Sequence, residues 1–383
     1  MKKNLIAIVL LLSTTFFYAQ ENAVVKVNIP TEQTYQFTPI IDIEASAVKH
    51  QGNTGTCWSF SASSFIESEI YRNTGVMIDV SEMYNVRKTY DAKAWNYVMR
   101  QGTAQFGEGG LAHDVMNSIQ LNGLLPETAY SGLLNDAANH DHSKIVPELK
   151  AVLDSYIKND HKSAAKSWKI ATDSILDAQL GKAPENFIYN GAVYTPMSFL
   201  EMTKINTSNY ITLTSFLQQP FYTSFILNIP DNFANGVFYN IPLEALVNEV
   251  DTALKNGYTL SLDCDVSEKT FSQKYGVAVV PKNSENNEKA LTYILEETMV
   301  TPEFRQQEFE NYNTTDDHLM HIVGLAKDQN GTEYYKVKNS WGTTGDRIGN
   351  DGYVYMSKAF FRLKTISVMV HKDALSEKVK LKS

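Results

Sequence analysis

The chain of 383 residues has a mass of 43.1 kDa and is 43% hydrophobic, 11% aromatic and only 20% charged, enough to bury a real core and unlike a disordered or low-complexity chain. A net charge of −9 and an isoelectric point near 5.5 leave no global footprint for nucleic acid. Two cysteines, Cys57 and Cys264, are too few to staple a fold of this length.

Residues 1–20 read MKKNLIAIVLLLSTTFFYAQ, with two lysines, an apolar run from Leu5 through Phe17 and the small residue Ala19. This is the layout of a secretory signal peptide, and the run is too short to span a bilayer. The expectation is an exported protein, periplasmic or extracellular, with no membrane insertion after signal removal and a working chain of residues 21–383.

Cys57 follows in HQGNTGTCWSFSASSFIESEIYRNTG. Apolar positions 58, 62, 65, 66 and 70 fall at helical spacing, and Asn73, Thr74 and Gly75 supply a stop. Cys57 therefore lies in the first turn, where unpaired N–H groups and the macrodipole favour a thiolate. Gly52 and Gly55 give the preceding loop the freedom to set Gln51 beside the sulfur. The bland alternative for any one cysteine is a small buried thiol.

The stretch AANHDHSK, with His140-Asp141-His142, reads as a polar surface loop, since no third ligand stands at a metal-binding spacing. Residues 145–181 have helical periodicity ending at Gly181. YTLSLDCDV alternates as a strand, so Cys264 is expected as a packed free thiol that does not pair with Cys57. Strand-like runs at 320–326 and 334–338 flank the turn signal Asp328-Gln329-Asn330-Gly331, and others follow at 353–356 and 366–371. Such a hairpin sets a histidine at the start of one strand beside Asn339 at the end of the next. A nucleophilic cysteine needs that pairing: a base, and a partner that orients the base.

The blocks QGNTGTCWSF, DHLMHIVG and KNSWG, in that order, resemble the papain-like cysteine peptidases. EGGLAHDVMNSIQLNGLLPETAY, GYTLSLDCDVSEKTFSQKYGV and EFRQQEFENYNTTDDHLMHIVG narrow the likeness to the bleomycin hydrolase or aminopeptidase C branch. The resemblance implies an α+β papain-like fold with a helical half (57–135), a β-rich half (240–375), a cleft between them and an insertion at 136–238. It makes Cys57 the nucleophile, His318 the base rather than His321, Asn339 the orienting partner and Gln51 an oxyanion donor. Gly109 and Gly110 would pair with extended substrate, with Trp58 and Trp341 lining the site. Peptide is the implied substrate, and neither metal nor organic cofactor is expected. Aminopeptidase is favoured over endopeptidase, a catalytically inactive peptide-binding protein being the reading of another class. Assembly into a homo-oligomer stays open, as does whether the basic tail SEKVKLKS enters the cleft.

Overall fold

A computed structural model describes residues 35–135, 137–158 and 167–380, so the expected signal peptide lies outside the described residues. The architecture is built on helix α1 (Cys57–Thr74). It starts at the cysteine and stops at Gly75, whose left-handed φ of 73° lets its N–H close onto Tyr71 O at 2.7 Å. Every residue from Cys57 to Ile70 is buried. Serines on this helix let neighbours approach closely and bond to their backbones: Ser61 Oγ donates to Met320 O at 2.6 Å and Ser59 Oγ to Glu82 O at 2.8 Å.

Around α1 pack α2 (Glu82–Met99), α3 (Ala112–Asn122), α4 (Ile145–Lys158), α5 (Ser167–Leu180) and α6 (Pro196–Thr203), all feeding one apolar core. The last three come from the expected insertion. Arg87 of α2 holds Asp177 of α5, which ties the added helices to the older pair.

Strand β1 (Thr38–Asp42) precedes the helices, and β2 (Phe187–Tyr189) and β3 (Ala192–Tyr194) form a separate hairpin. The main sheet then gathers β4 (Tyr210–Thr214), β5 (Thr223–Ile226), β6 (Val237–Asn240), β7 (Leu260–Cys264), β8 (Phe271–Ser272), β9 (Val277–Ala278), β10 (His318–Lys327), β11 (Glu333–Lys338), β12 (Tyr353–Ser357) and β13 (Thr365–His371). Its order is β5-β6-β4-β13-β7-β10-β11-β12-β9-β8, with β1 added along the far end of β10. Segment 136–238 therefore contributes to both halves: its helices join α1, and β4, β5 and the start of β6 extend the sheet.

Alternation along the strands gives the sheet two apolar faces. Leu319, Ile366 and Met369 point into the α1 core, whereas Met320, Ile322, Val368 and Val370 meet helix α7 (Leu243–Lys255) and the short helix Lys358–Lys364 on the other side. The last described residues lie on that second face: Ser376 bonds Glu249 of α7, and Val379 is buried in the same core.

Candidate active site

The β10–β11 hairpin turns at Asp328, whose carboxylate accepts the N–H groups of Asn330 and Thr332, and it brings His318 to Asn339. His318 Nε2 lies 2.8 Å from Asn339 Oδ1. The backbone N–H of Ser340 also points at that oxygen, 2.7 Å away, and Asn339 Nδ2 donates to Gln273 Oε1 at 2.7 Å. A backbone N–H only donates, so Oδ1 is fixed as the acceptor, Nε2 must carry a proton, and Nδ1 of the neutral ring is left as the basic nitrogen. The Trp341 ring, centred 4.8 Å from the imidazole, covers this pair. His321 is buried on the α1 side, its Nδ1 2.9 Å from Ser64 Oγ and its ring edge-on to Phe65.

Gln51 is tied to the same strand end. Its N–H donates to Ser340 O at 2.8 Å, its Oε1 accepts from Ser340 Oγ at 2.6 Å, and Nε2 donates one hydrogen to Thr54 O at 2.8 Å. The second Nε2 hydrogen is left for a ligand. Gly52, at φ 71°, packs so tightly on His140 that a Cβ would fall 2.3 Å from His140 O. Asn53 donates its N–H to that oxygen at 2.9 Å, and Gly55 donates to Glu108 Oε2 at 2.6 Å.

Burial adds two things to the sequence expectations. The AANHDHSK loop lies at the surface with Asp141 exposed, but His140 is half-buried and His142 only 2% exposed, bracing the Gln51 loop, and burial pushes both imidazoles down to about 4. The Cys57 thiol is 8% exposed, and burial drives it up to about 12, not down. The Leu319 backbone N–H beside the sulfur opposes that rise, and the charges of Asp316, Asp231 and Asp263 add to it. Burial also lowers His318, against its bond to Asn339. Burial thus works against the charged form of both partners and opposes the pull of the helix start on the sulfur.

Gly109 and Gly110 lie beside the start of α1. The Trp58 ring sits beneath Gly110, 3.1 Å from where a Cβ would be, and its Nε1 donates to Glu108 O at 3.0 Å. At 1% exposure Trp58 supports this strip from below and does not line the cleft. Lys93 Nζ, buried under the same turn, donates to the carbonyls of Gly107, Glu108 and Gly109. Above the strip lies the segment 229–236. Asp231 covers Gly109 so closely that a Cβ there would overlap its carboxylate, Phe233 stacks 5.3 Å from Lys93 Nζ, and Gly236 abuts the His113 ring. Asn232 braces this segment by bonding Leu227 O and the N–H and O of Gly236.

The sequence matches the papain family cysteine protease pattern over residues 41–214 and that of the peptidase C1-like family over residues 174–382. The chain belongs to the peptidase C1-like family. It is 22% identical over 413 residues to aminopeptidase C of Listeria monocytogenes serovar 1/2a (strain ATCC BAA-679 / EGD-e), covering 94% of this chain and 87% of that protein. Bleomycin hydrolase of Gallus gallus is 21% identical over 404 residues, covering 90% and 84%. Among solved structures, PepW of Lactobacillus rhamnosis HN001 superposes with a TM-score of 0.69 at 17% identity, over 90% of this chain and 84% of that one, which establishes the fold.

In this C1-like peptidase several residues at the site escape sequence reasoning. Gln273, which fixes the Asn339 amide, lies inside the block GYTLSLDCDVSEKTFSQKYGV, where nothing in the sequence singles it out from its neighbours. Asp231 belongs to a segment without periodicity. Asp316 stands visibly beside His318 in the sequence, but its partner Asp263 is 53 positions away and reaches it only through the pairing of β7 with β10.

Proposed function

We propose that this C1-like cysteine peptidase is an exported aminopeptidase. Cys57 transfers its proton to His318 Nδ1 and attacks the carbonyl carbon of the first peptide bond, with the oxyanion held by the free Gln51 Nε2 hydrogen and the Cys57 N–H. His318 then gives the proton to the departing amine. Water, losing a proton to the same nitrogen, hydrolyses the thioester and returns the thiol. Asn339 and Trp341 keep the imidazole aligned throughout.

The observation that carries the exopeptidase reading is the 229–236 segment seated on Gly109. An extended substrate would need that strip for residues further from the scissile bond, and Asp231 occupies it. The relatives named aminopeptidase C support the same reading. Export rests on the pattern of residues 1–20 and predicts a mature terminus at Gln20 or Glu21; exported protein that keeps Met1 would contradict cleavage.

The test compares leucyl-aminomethylcoumarin with its N-acetyl form, alongside Cys57→Ala. The free amine should be the better substrate and the alanine variant inactive. Equal turnover of both substrates would contradict the aminopeptidase assignment, and an active alanine variant would contradict the nucleophile.

A further inference from the structure

We propose that Asp231, Asp263 and Asp316 form the site that takes the substrate's free α-ammonium group. The inference rests on the aminopeptidase reading and supplies its chemical cause. An enzyme that removes one residue must recognise a terminal cation a few ångströms from the scissile carbonyl, and this requires negative charge that the protein has not already neutralised.

Asp231 and Asp316 meet that description; burial and the neighbouring Asp316 charge hold the Asp263 carboxyl well above the usual carboxylate range, so its part is to share a proton with Asp316. Asp263 is 2% exposed, and its Oδ1 has no hydrogen-bond partner. Both Asp316 oxygens are likewise buried without a well-aligned partner, although the Asp263 carboxyl and the Asp231 N–H face them. Asp231 accepts one long side-chain bond, from Gln105 Nε2 at 3.4 Å, and has no ion pair among the described residues. Native interiors rarely leave so many buried acceptors unmet, because each costs free energy until a donor arrives. An ammonium brings three donors and a positive charge.

Position agrees with charge. Asp263 lines a cavity of about 10 Å³ together with Leu111, His113, Leu319 and Ser367. That volume suits one water-sized group. Leu319, whose N–H faces the Cys57 sulfur, also lines the cavity, so a single residue links it to the reacting sulfur, and Asp263 is the one of the three acids in its wall. Lys93 is the nearest internal cation, but three backbone carbonyls hold its ammonium below the strip. Burial is the main cause that raises the Cys57 thiol and the same acids add to it, so an arriving cation offsets their share. Substrate binding and nucleophile activation are thereby linked.

The experiment uses full-length enzyme carrying Asp231→Asn, Asp316→Asn or both, assayed on leucyl-aminomethylcoumarin and its N-acetyl form, with Cys57 alkylation by iodoacetamide measured in parallel. Loss of a charge partner should lower kcat/KM for the free amine about 30-fold or more and change that for the acetylated substrate less than about 3-fold. Alkylation should be at least as fast as in the wild type, showing an intact site. Asp231→Asn, on the covering segment, serves as the sole variant if Asp316→Asn does not fold. Variants that keep the wild-type preference overturn the anchor and leave the aminopeptidase reading standing, and so does a fall in activity matched by a fall in alkylation. A wild type without preference overturns the reading itself.

Discussion

Two groups of acids flank α1, and they differ in one respect. At its outer side Glu67, Asp79 and Glu82 converge, but Lys49 Nζ lies among them, 2.7 Å from Glu82 and 3.9 Å from Glu67 and in contact with Asp79. Lys338 adds a second cation nearby, bonded to Ser46 and Ser64. Beside the cleft, Asp231, Asp263 and Asp316 make no ion pair among the described residues, and Lys93 acts on Asp231 only from beneath the glycine strip, where carbonyls hold its ammonium. The first group is internally neutralised and so can only support the fold. The second is left open, and its unmet charge is of use only if a cation comes from outside.

The largest effect expected from breaking this contrast comes from Lys49→Met. Removing the cation strands buried carboxylates and should destabilise the protein by about 3–5 kcal/mol in urea unfolding, without altering the preference for free amines. Gln51→Ala, at the junction between the groups, should lower kcat on leucyl-aminomethylcoumarin by about 10²–10³-fold with little change in stability, since it removes one oxyanion donor. Asp316→Asn should have the opposite sign of the lysine change. Burial raises the Asp316 carboxyl to about 7 from an ordinary 3.8, with the Asp231 charge next in weight. A raised carboxyl costs stability progressively as pH climbs from the unfolded to the folded value, so the amide should stabilise by on the order of 1 kcal/mol at pH 8 and by nothing at pH 3, read as thermal midpoints. The smallest effect is on pH dependence. The kcat/KM for free amines should fall as pH drops below about 7, where Asp316, facing Asp231, Asp263 and Asp317, takes up its proton. The residual activity of Asp316→Asn should lack that limb.

Much of the fold was legible because its signals are local. Gly75 stops α1 where a left-handed residue is required, and Asp328-Gln329-Asn330-Gly331 turns the hairpin that joins His318 to Asn339. What could not be read depends on tertiary packing. Serines and glutamates along α1 look solvent-facing in sequence, yet the helix is covered on all sides, so their burial had no periodic signature. His140 and His142 look fully solvated in sequence, but the fold lays His140 on Gly52 and bonds the His142 N–H to Asn53 O. The tendency of a helix start to acidify a thiol is opposed here by burial and by three acids, all of them from distant segments. The covering segment 229–236 is the clearest omission, because neither composition nor spacing tells which loop crosses a cleft.

The central claim is that a thiol at Cys57 and an open acidic group beside it act on one substrate residue. Leucinal, an aldehyde with a free amine, engages both at once by adding the Cys57 sulfur to its carbonyl, whereas N-acetyl-leucinal engages only the sulfur. Inhibition constants of the two against the wild-type enzyme are therefore the most direct measurement. Leucinal should bind about 30-fold or more tightly than its acetylated form, consistent with a buried charge pair. Equal constants would contradict the account.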